Sequence, residues 1–154
     1  NKKILNPKSA PPKAFVPPKI LLKFTDKIRY SYRPILPNIK ETLITLQKHR
    51  KLILLTGRRT SPINWLEKNN IRKFFHEIII NQTSLASSHY KLYKIQDIKP
   101  EEHIDDDIQT IRLLNDITNC KLFLRVWNYN QKLSLPSDIQ KINDFKELTN
   151  FITK

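Results

Sequence analysis

Few residues in this chain could do chemistry, and they fall in three short stretches. Asp105-Asp106-Asp107 sets three carboxylates in a row before a helical pattern. Oxygen ligands of that kind suit a magnesium ion, and the same acids can instead cap the following helix and face water. Thr56-Gly57-Arg58 is a polar exit from an apolar run, and Thr25-Asp26-Lys27 is another, with Asp26 its only carboxylate. A threonine hydroxyl with no adjacent base is a poor nucleophile. A lysine, with an ordinary pKa of about 10.4, cannot act as proton donor and acceptor near neutral pH. His49, His76, His89 and His103 lack metal-ligand spacing, so they are expected as surface or hydrogen-bonded histidines. Cys120 cannot form an internal bridge, and Leu122 and Leu124 at strand spacing from it imply a buried thiol. One glycine in 154 residues excludes a glycine-rich nucleotide loop.

The elements that must position these residues alternate between strand and helix patterns. Lys19 to Phe24, Lys51 to Leu55, Phe74 to Ile80, His103-Ile104 and Cys120 to Trp127 read as short buried strands. Ile39, Leu43 and Leu46 share a helical face behind Asn38 as a cap, and Ser61-Pro62 opens a helix through Trp65, expected in the core. Asp107 can cap a helix over Ile108 to Ile117, and Asn143 to Lys154 reads as a closing helix. Asn81 to Lys99 reads as irregular. Trp127-Asn128-Tyr129-Asn130 leaves a strand with two rings and two amides, for core packing and a turn or for stacking on a base or partner. Short strands separated by helices imply an α/β fold, a Rossmann-like three-layer domain with a mostly parallel sheet. Its ligand edge would lie at the carboxyl ends of the strands.

Charge is unevenly spread. Residues 1–59 hold 15 Lys+Arg against 2 Asp+Glu, net +13, whereas the rest is nearly neutral. The densest part, residues 1–18, is rich in lysine and proline and reads as an extended basic arm, with the folded domain over 19–154. Such an arm suits a polyanion, each lysine releasing counterions from one phosphate, and serves equally as a solubilising tail. The candidate nucleic-acid contacts are Lys2, Lys3, Lys8, Lys13, Lys19, Arg29, Arg33, Arg58 and Arg59. The start at Asn1, without methionine, is compatible with a removed leader or a longer N-terminus. No apolar run approaches the ~20 residues of a membrane span, so membrane insertion is not expected. Abundant Lys, Asn and Ile, with little Gly, resembles the composition of an AT-rich genome such as that of an organelle or a parasite.

Two segments resemble motifs of haloacid dehalogenase (HAD) phosphatases. Leu52-Ile53-Leu54-Leu55-Thr56-Gly57-Arg58 looks like the second motif, a hydrophobic strand ending in a hydroxyl. His103-Ile104-Asp105-Asp106-Asp107 before a helix looks like the fourth, a strand ending in paired acids. The resemblance spans roughly Lys19 to Phe151 and implies a HAD-like fold. It places Thr25 where the family has its aspartate nucleophile and Lys27 where it has its acid/base. Lys91, Lys94 or Lys99 could stand for the third-motif lysine, with Lys99-Pro100 the best placed. Asp105 and Asp106 would hold magnesium if any ion is bound. On this pattern Thr25, Lys27, Thr56, Lys99, Asp105 and Asp106 are relic positions of a catalytically dead domain, with no cofactor expected.

These features together favour a non-catalytic, RNA-associated structural protein. Its setting would be a large ribonucleoprotein such as an organellar, mitochondrial ribosome, with rRNA and neighbouring proteins as partners. One alternative is a magnesium-dependent phosphatase acting on a small phosphate ester through Asp26, Asp105 and Asp106. Another is a protein-binding HAD-like module of an organellar complex.

Overall fold

The computed structural model describes residues 11–30 and 32–152. It is an α/β structure in which every ladder between strands is parallel among the described residues. Its elements are α1 (Lys19–Tyr30), α2 (Ile39–Leu46), β1 (Ile53–Thr56), α3 (Ile63–Lys68), a 3-10 turn at Arg72–Phe74 and β2 (Glu77–Ile80). There follow α4 (Ser87–Ile98), β3 (Glu102–Asp105), α5 (Ile108–Asn115), β4 (Lys121–Arg125), β5 (Gln140–Ile142) and α6 (Glu147–Ile152).

The chain divides into two compact units. One comprises Leu85–Asp144 with the chain up to Lys13, the other Ala14–Ser84 with the chain from Phe145. The first carries a three-stranded sheet, β3-β4-β5, and the second a two-stranded sheet, β1-β2. In the first unit β4 is the middle strand, and Leu122, Phe123 and Leu124 are buried on both of its faces, as a parallel strand covered on both sides requires. Helix α5 packs on it through Ile111 and Leu114, which have no exposed surface. In the second unit Leu43, Leu66, Ile71 and Phe74 form the core, with Trp65 and Leu54 packed against it. Trp65, expected in the core, is partly buried against it, and its indole N–H donates to the carbonyl of Arg33 over 3.0 Å.

The largest departure from the sequence expectation lies at Lys19 to Phe24, which is helical instead of a strand. Six apolar-rich residues fit either state. The run continues, however, with Phe24 and Ile28 at four-residue intervals from Ile20, and Pro17-Pro18 ahead of it are tolerated where a helix begins. Leu22 N–H donates to the Pro18 carbonyl over 3.1 Å, the first turn of that helix. Among the described residues the strands pair as one two-stranded and one three-stranded sheet, and Lys19 to Phe24 belongs to neither.

Other differences are smaller. Asn81 to Lys99 contains a three-turn helix, α4, whose buried Tyr90, Leu92 and Ile95 alternate with polar residues and so hide the period. Strand β5, only Gln-Lys-Ile, had no visible pattern. Asn38 does not cap α2 through its side chain, because it takes a left-handed backbone, φ 56. Among the described residues the positive-φ positions are Asn38, Asn70 and Lys99, and the chain's lone glycine is not one of them. Within the segment read as the arm, an antiparallel bridge joins Lys13 to Leu85, and Ala14 N–H donates to the Ser84 carbonyl.

Candidate functional site

Asp105 ends β3 and is the most deeply set acid of the chain's polar stretches. Its carboxylate is surrounded by donors. Oδ2 receives Lys91 Nζ at 2.5 Å and lies 3.4 Å from His103 Nε2. Oδ1 accepts the backbone N–H groups of Asp106 at 2.9 Å and Asp107 at 3.1 Å. Strand and helix geometry explain the convergence. His103 and Asp105 are two apart on β3 and so project to one side, while Lys91 lies on α4, which leads into that strand. Burial alone would raise the Asp105 carboxyl, but the hydrogen bond with His103 and the charge of Lys91 outweigh it. The group stays ionised well below the usual carboxylate range.

The neighbouring acids have different tasks. Asp107 caps α5, as the sequence indicated: Oδ1 accepts Gln109 N–H at 3.1 Å and Oδ2 accepts the Thr110 hydroxyl at 2.9 Å. Asp106 Oδ2 accepts the hydroxyl of Tyr129 at 2.9 Å, and its carbonyl accepts Asn130 Nδ2 at 3.0 Å. Asn130 also donates to the Arg125 carbonyl and accepts Trp127 N–H, so this buried amide pins the loop after β4 to the loop after β3. Partial burial and then the Asp106 hydrogen bond, with the charges of all three acids, push the Tyr129 hydroxyl up to about 12. The Arg125 guanidinium lies 4.3 Å over the Trp127 ring. Both rings of Trp127 and Tyr129 thus have intramolecular partners.

Magnesium takes about six oxygens in near-octahedral array. Here the three carboxylates are turned to an ion pair, a tyrosine and a helix cap, and among the described residues no three His, Cys, Asp or Glu side chains gather as metal ligands do. The residues as arranged do not fit that ion.

The remaining expected site residues have local partners of their own. Thr25 sits within α1, not at the end of a strand, and its hydroxyl donates to the carbonyls of Leu21 at 2.8 Å and Leu22 at 3.2 Å. Asp26, one residue on, accepts from the Thr60 hydroxyl and lies 3.9 Å from an Arg58 nitrogen. The Thr56 hydroxyl accepts Arg58 N–H at 3.2 Å, closing the turn after β1. Lys99, preferred from sequence as the third-motif lysine, ends α4 with φ 50; it is Lys91, two turns earlier, that meets Asp105. Helix α4, within the stretch read as irregular, is what carries Lys91 to Asp105. Among the expected phosphate contacts, Arg59 Nε donates to the Thr83 carbonyl. Lys2, Lys3 and Lys8, and the side chains of Lys19, Lys27 and Arg29, lie outside the described residues. Cys120 is half-buried just before β4, and burial, with Glu102 beside it, pushes its thiol up to about 11, so it is unreactive at neutral pH.

His89, on α4, departs from the expectation of a surface or hydrogen-bonded ring. It is buried, and neither ring nitrogen has a hydrogen-bond partner among the described residues. Burial holds its pKa below 6.5, so folding favours the neutral ring. Its contribution to stability is therefore complete above the unfolded value of about 6.5 and is lost as pH falls below it, by up to about 1.4 kcal/mol per pH unit. The urea midpoint should drop between pH 7.5 and 5.5, and His89→Leu should flatten that part of the curve. An equal slope in the variant would assign the pH dependence elsewhere.

Comparison with known structures places the architecture. A HAD-superfamily hydrolase of subfamily IA, variant 1, from Geobacter sulfurreducens superposes with a TM-score of 0.57 at 16% identity, over 76% of this chain and 60% of that one. The fold is HAD-like, and the chain spans less than two thirds of that hydrolase's length. No protein-family model and no curated protein matches the sequence.

Proposed function

We propose that this chain is a non-catalytic HAD-like domain that works as a structural component of a ribonucleoprotein, bound to RNA through its basic N-terminal segment. The observation that carries the non-catalytic part is the occupied state of Asp105. The acid that would act at the end of its strand is neutralised by Lys91, flanked by His103 and saturated by two backbone donors. Thr25 adds support, because its hydroxyl is spent on its own helix. The RNA part rests on the concentration of charge in residues 1–59. The lysine- and asparagine-rich composition favours an organellar assembly of the mitochondrial ribosome kind, with rRNA and adjacent proteins as neighbours.

A phosphatase assay tests the absence of catalysis. Incubated with p-nitrophenyl phosphate and magnesium, the protein should give no turnover above buffer, and Asp106→Asn should be indistinguishable from it. Asp106 is chosen because a change at Asp105 would also strip Lys91 of its partner. Magnesium-dependent turnover abolished by Asp106→Asn would replace this proposal with the phosphatase alternative.

A further inference from the structure

Helix α1 is mounted with its apolar side outward. Asp26 faces the protein, joined to Thr60 and Arg58, and Leu22 on the same side is partly buried. Ile20, Leu21, Phe24 and Ile28 share a sector of about 100° on the other side. They are exposed, from 53% at Leu21 to 82% at Ile20. Before and after the helix in sequence, Phe15 and Tyr32 are 88% and 84% exposed. Clustered exposed apolar side chains mark a contact site.

Charge selects the occupant. Between Lys13 and Arg33 there are six cationic residues and one acid, Asp26, already engaged with Arg58. The lysine positions 19, 23 and 27 form a row at four-residue spacing along the helix, beside the apolar sector. A second copy of this chain would bring like-charged rows together. RNA would satisfy the charge and could stack on Phe15, Phe24 and Tyr32, but it would leave aliphatic Ile20, Leu21 and Ile28 in water. A groove on another protein fits a helix face, whereas here the exposed apolar residues include the non-helical residues 15 and 32. An anionic bilayer surface accepts all of these features: apolar side chains enter the headgroup boundary, aromatic residues sit at its edge, and flanking lysines meet phosphate or carboxylate headgroups. We propose that α1 and its flanks form a peripheral membrane contact that seats the protein on an anionic lipid surface without spanning it. This contact is separate from the non-catalytic reading of Asp105 and from Lys2, Lys3 and Lys8, although Lys13, Lys19, Arg29 and Arg33 are counted in the RNA reading as well.

The test is co-sedimentation of the full chain, free of RNA, with phosphatidylcholine vesicles containing about one third phosphatidylserine, alongside vesicles of phosphatidylcholine alone. Binding should require the anionic lipid and weaken with salt. Leu21→Glu with Phe24→Glu should lower the partition coefficient at least about tenfold, with thermal unfolding and RNA affinity unchanged, since both side chains are exposed. Ile28→Ser supplies a milder second variant with the same direction. Absence of binding, or equal binding by the variants, would overturn the proposal. So would a concentration-dependent dimer that the variants dissociate, or a loss of RNA affinity in them.

Discussion

Lys91→Met should destabilise the protein by about 3–5 kcal/mol, read as a lower urea midpoint at unchanged slope, because it strands a buried carboxylate whose main countercharge is gone. At about 2–4 °C per kcal/mol for a chain of this size, thermal unfolding should come roughly 6–20 °C earlier. The expectation rests on the depth of the pair: the Lys91 and Asp105 side chains are 13% and 4% exposed, so water does little to screen either. An exposed pair such as Lys94 with Asp97 should give at most about 1 kcal/mol under the same treatment. The sign with pH follows from the direction of the shift. Asp105 is held below the ordinary carboxylate value, so its contribution is complete above about pH 4 and is lost as pH falls further. The penalty of Lys91→Met should shrink over the same range, since a protonated Asp105 no longer needs a cation. Lys91→Met combined with Asp105→Leu should recover much of the loss, as buried ion pairs replaced by apolar residues often do. A single variant costing less than about 1 kcal/mol at pH 7 would show that the pair is not the electrostatic centre of its unit.

The residues that could be recognised from sequence were those whose signal is local. Asp107 could be assigned as a helix cap because a carboxylate before an apolar periodic run has one common structural use, and the hydrogen bonds to Gln109 and Thr110 are that use. Leu122 to Leu124 announce a buried strand by their unbroken apolar run, and the parallel ladders follow from the alternation of strand and helix patterns. What stayed hidden depends on distant partners. Nothing near Lys91 in sequence points to an acid 14 residues away, and Asn130 looks like any loop amide until its contacts to Arg125 and Asp106 are seen. Lys19 to Phe24 failed for a different reason. A run of that length has no period of its own, and the outward placement of Ile20 and Phe24 removes the burial that a strand reading presumed.

Removing residues 1–10 should reduce RNA affinity on the order of a hundredfold at about 0.1 M salt. The deletion takes away Lys2, Lys3 and Lys8 and stops short of Pro12 to Ala14, whose hydrogen bonds to Ser84 and Ala86 belong to the folded structure. Each lysine seated on a phosphate of single-stranded RNA contributes about 0.7 to the slope of log affinity against log salt, so three contacts change that slope by about 2. Fluorescence anisotropy of a labelled uridine oligomer, titrated at several salt concentrations with the full chain and the truncated one, reads both quantities. Replacing the same three lysines with glutamine should reproduce the loss, which separates charge from chain length. Arg58 and Arg59 behave differently, because one already faces Asp26 and Thr60 and the other donates to the Thr83 carbonyl. Arg59→Ala should therefore alter the slope by much less than one. If the truncated protein keeps the full salt slope, the arm is a solubilising tail. A steep slope lost on truncation but indifferent to glutamine would assign the effect to the backbone and prolines, because only phosphate neutralisation ties affinity to salt in proportion to the number of lysines removed.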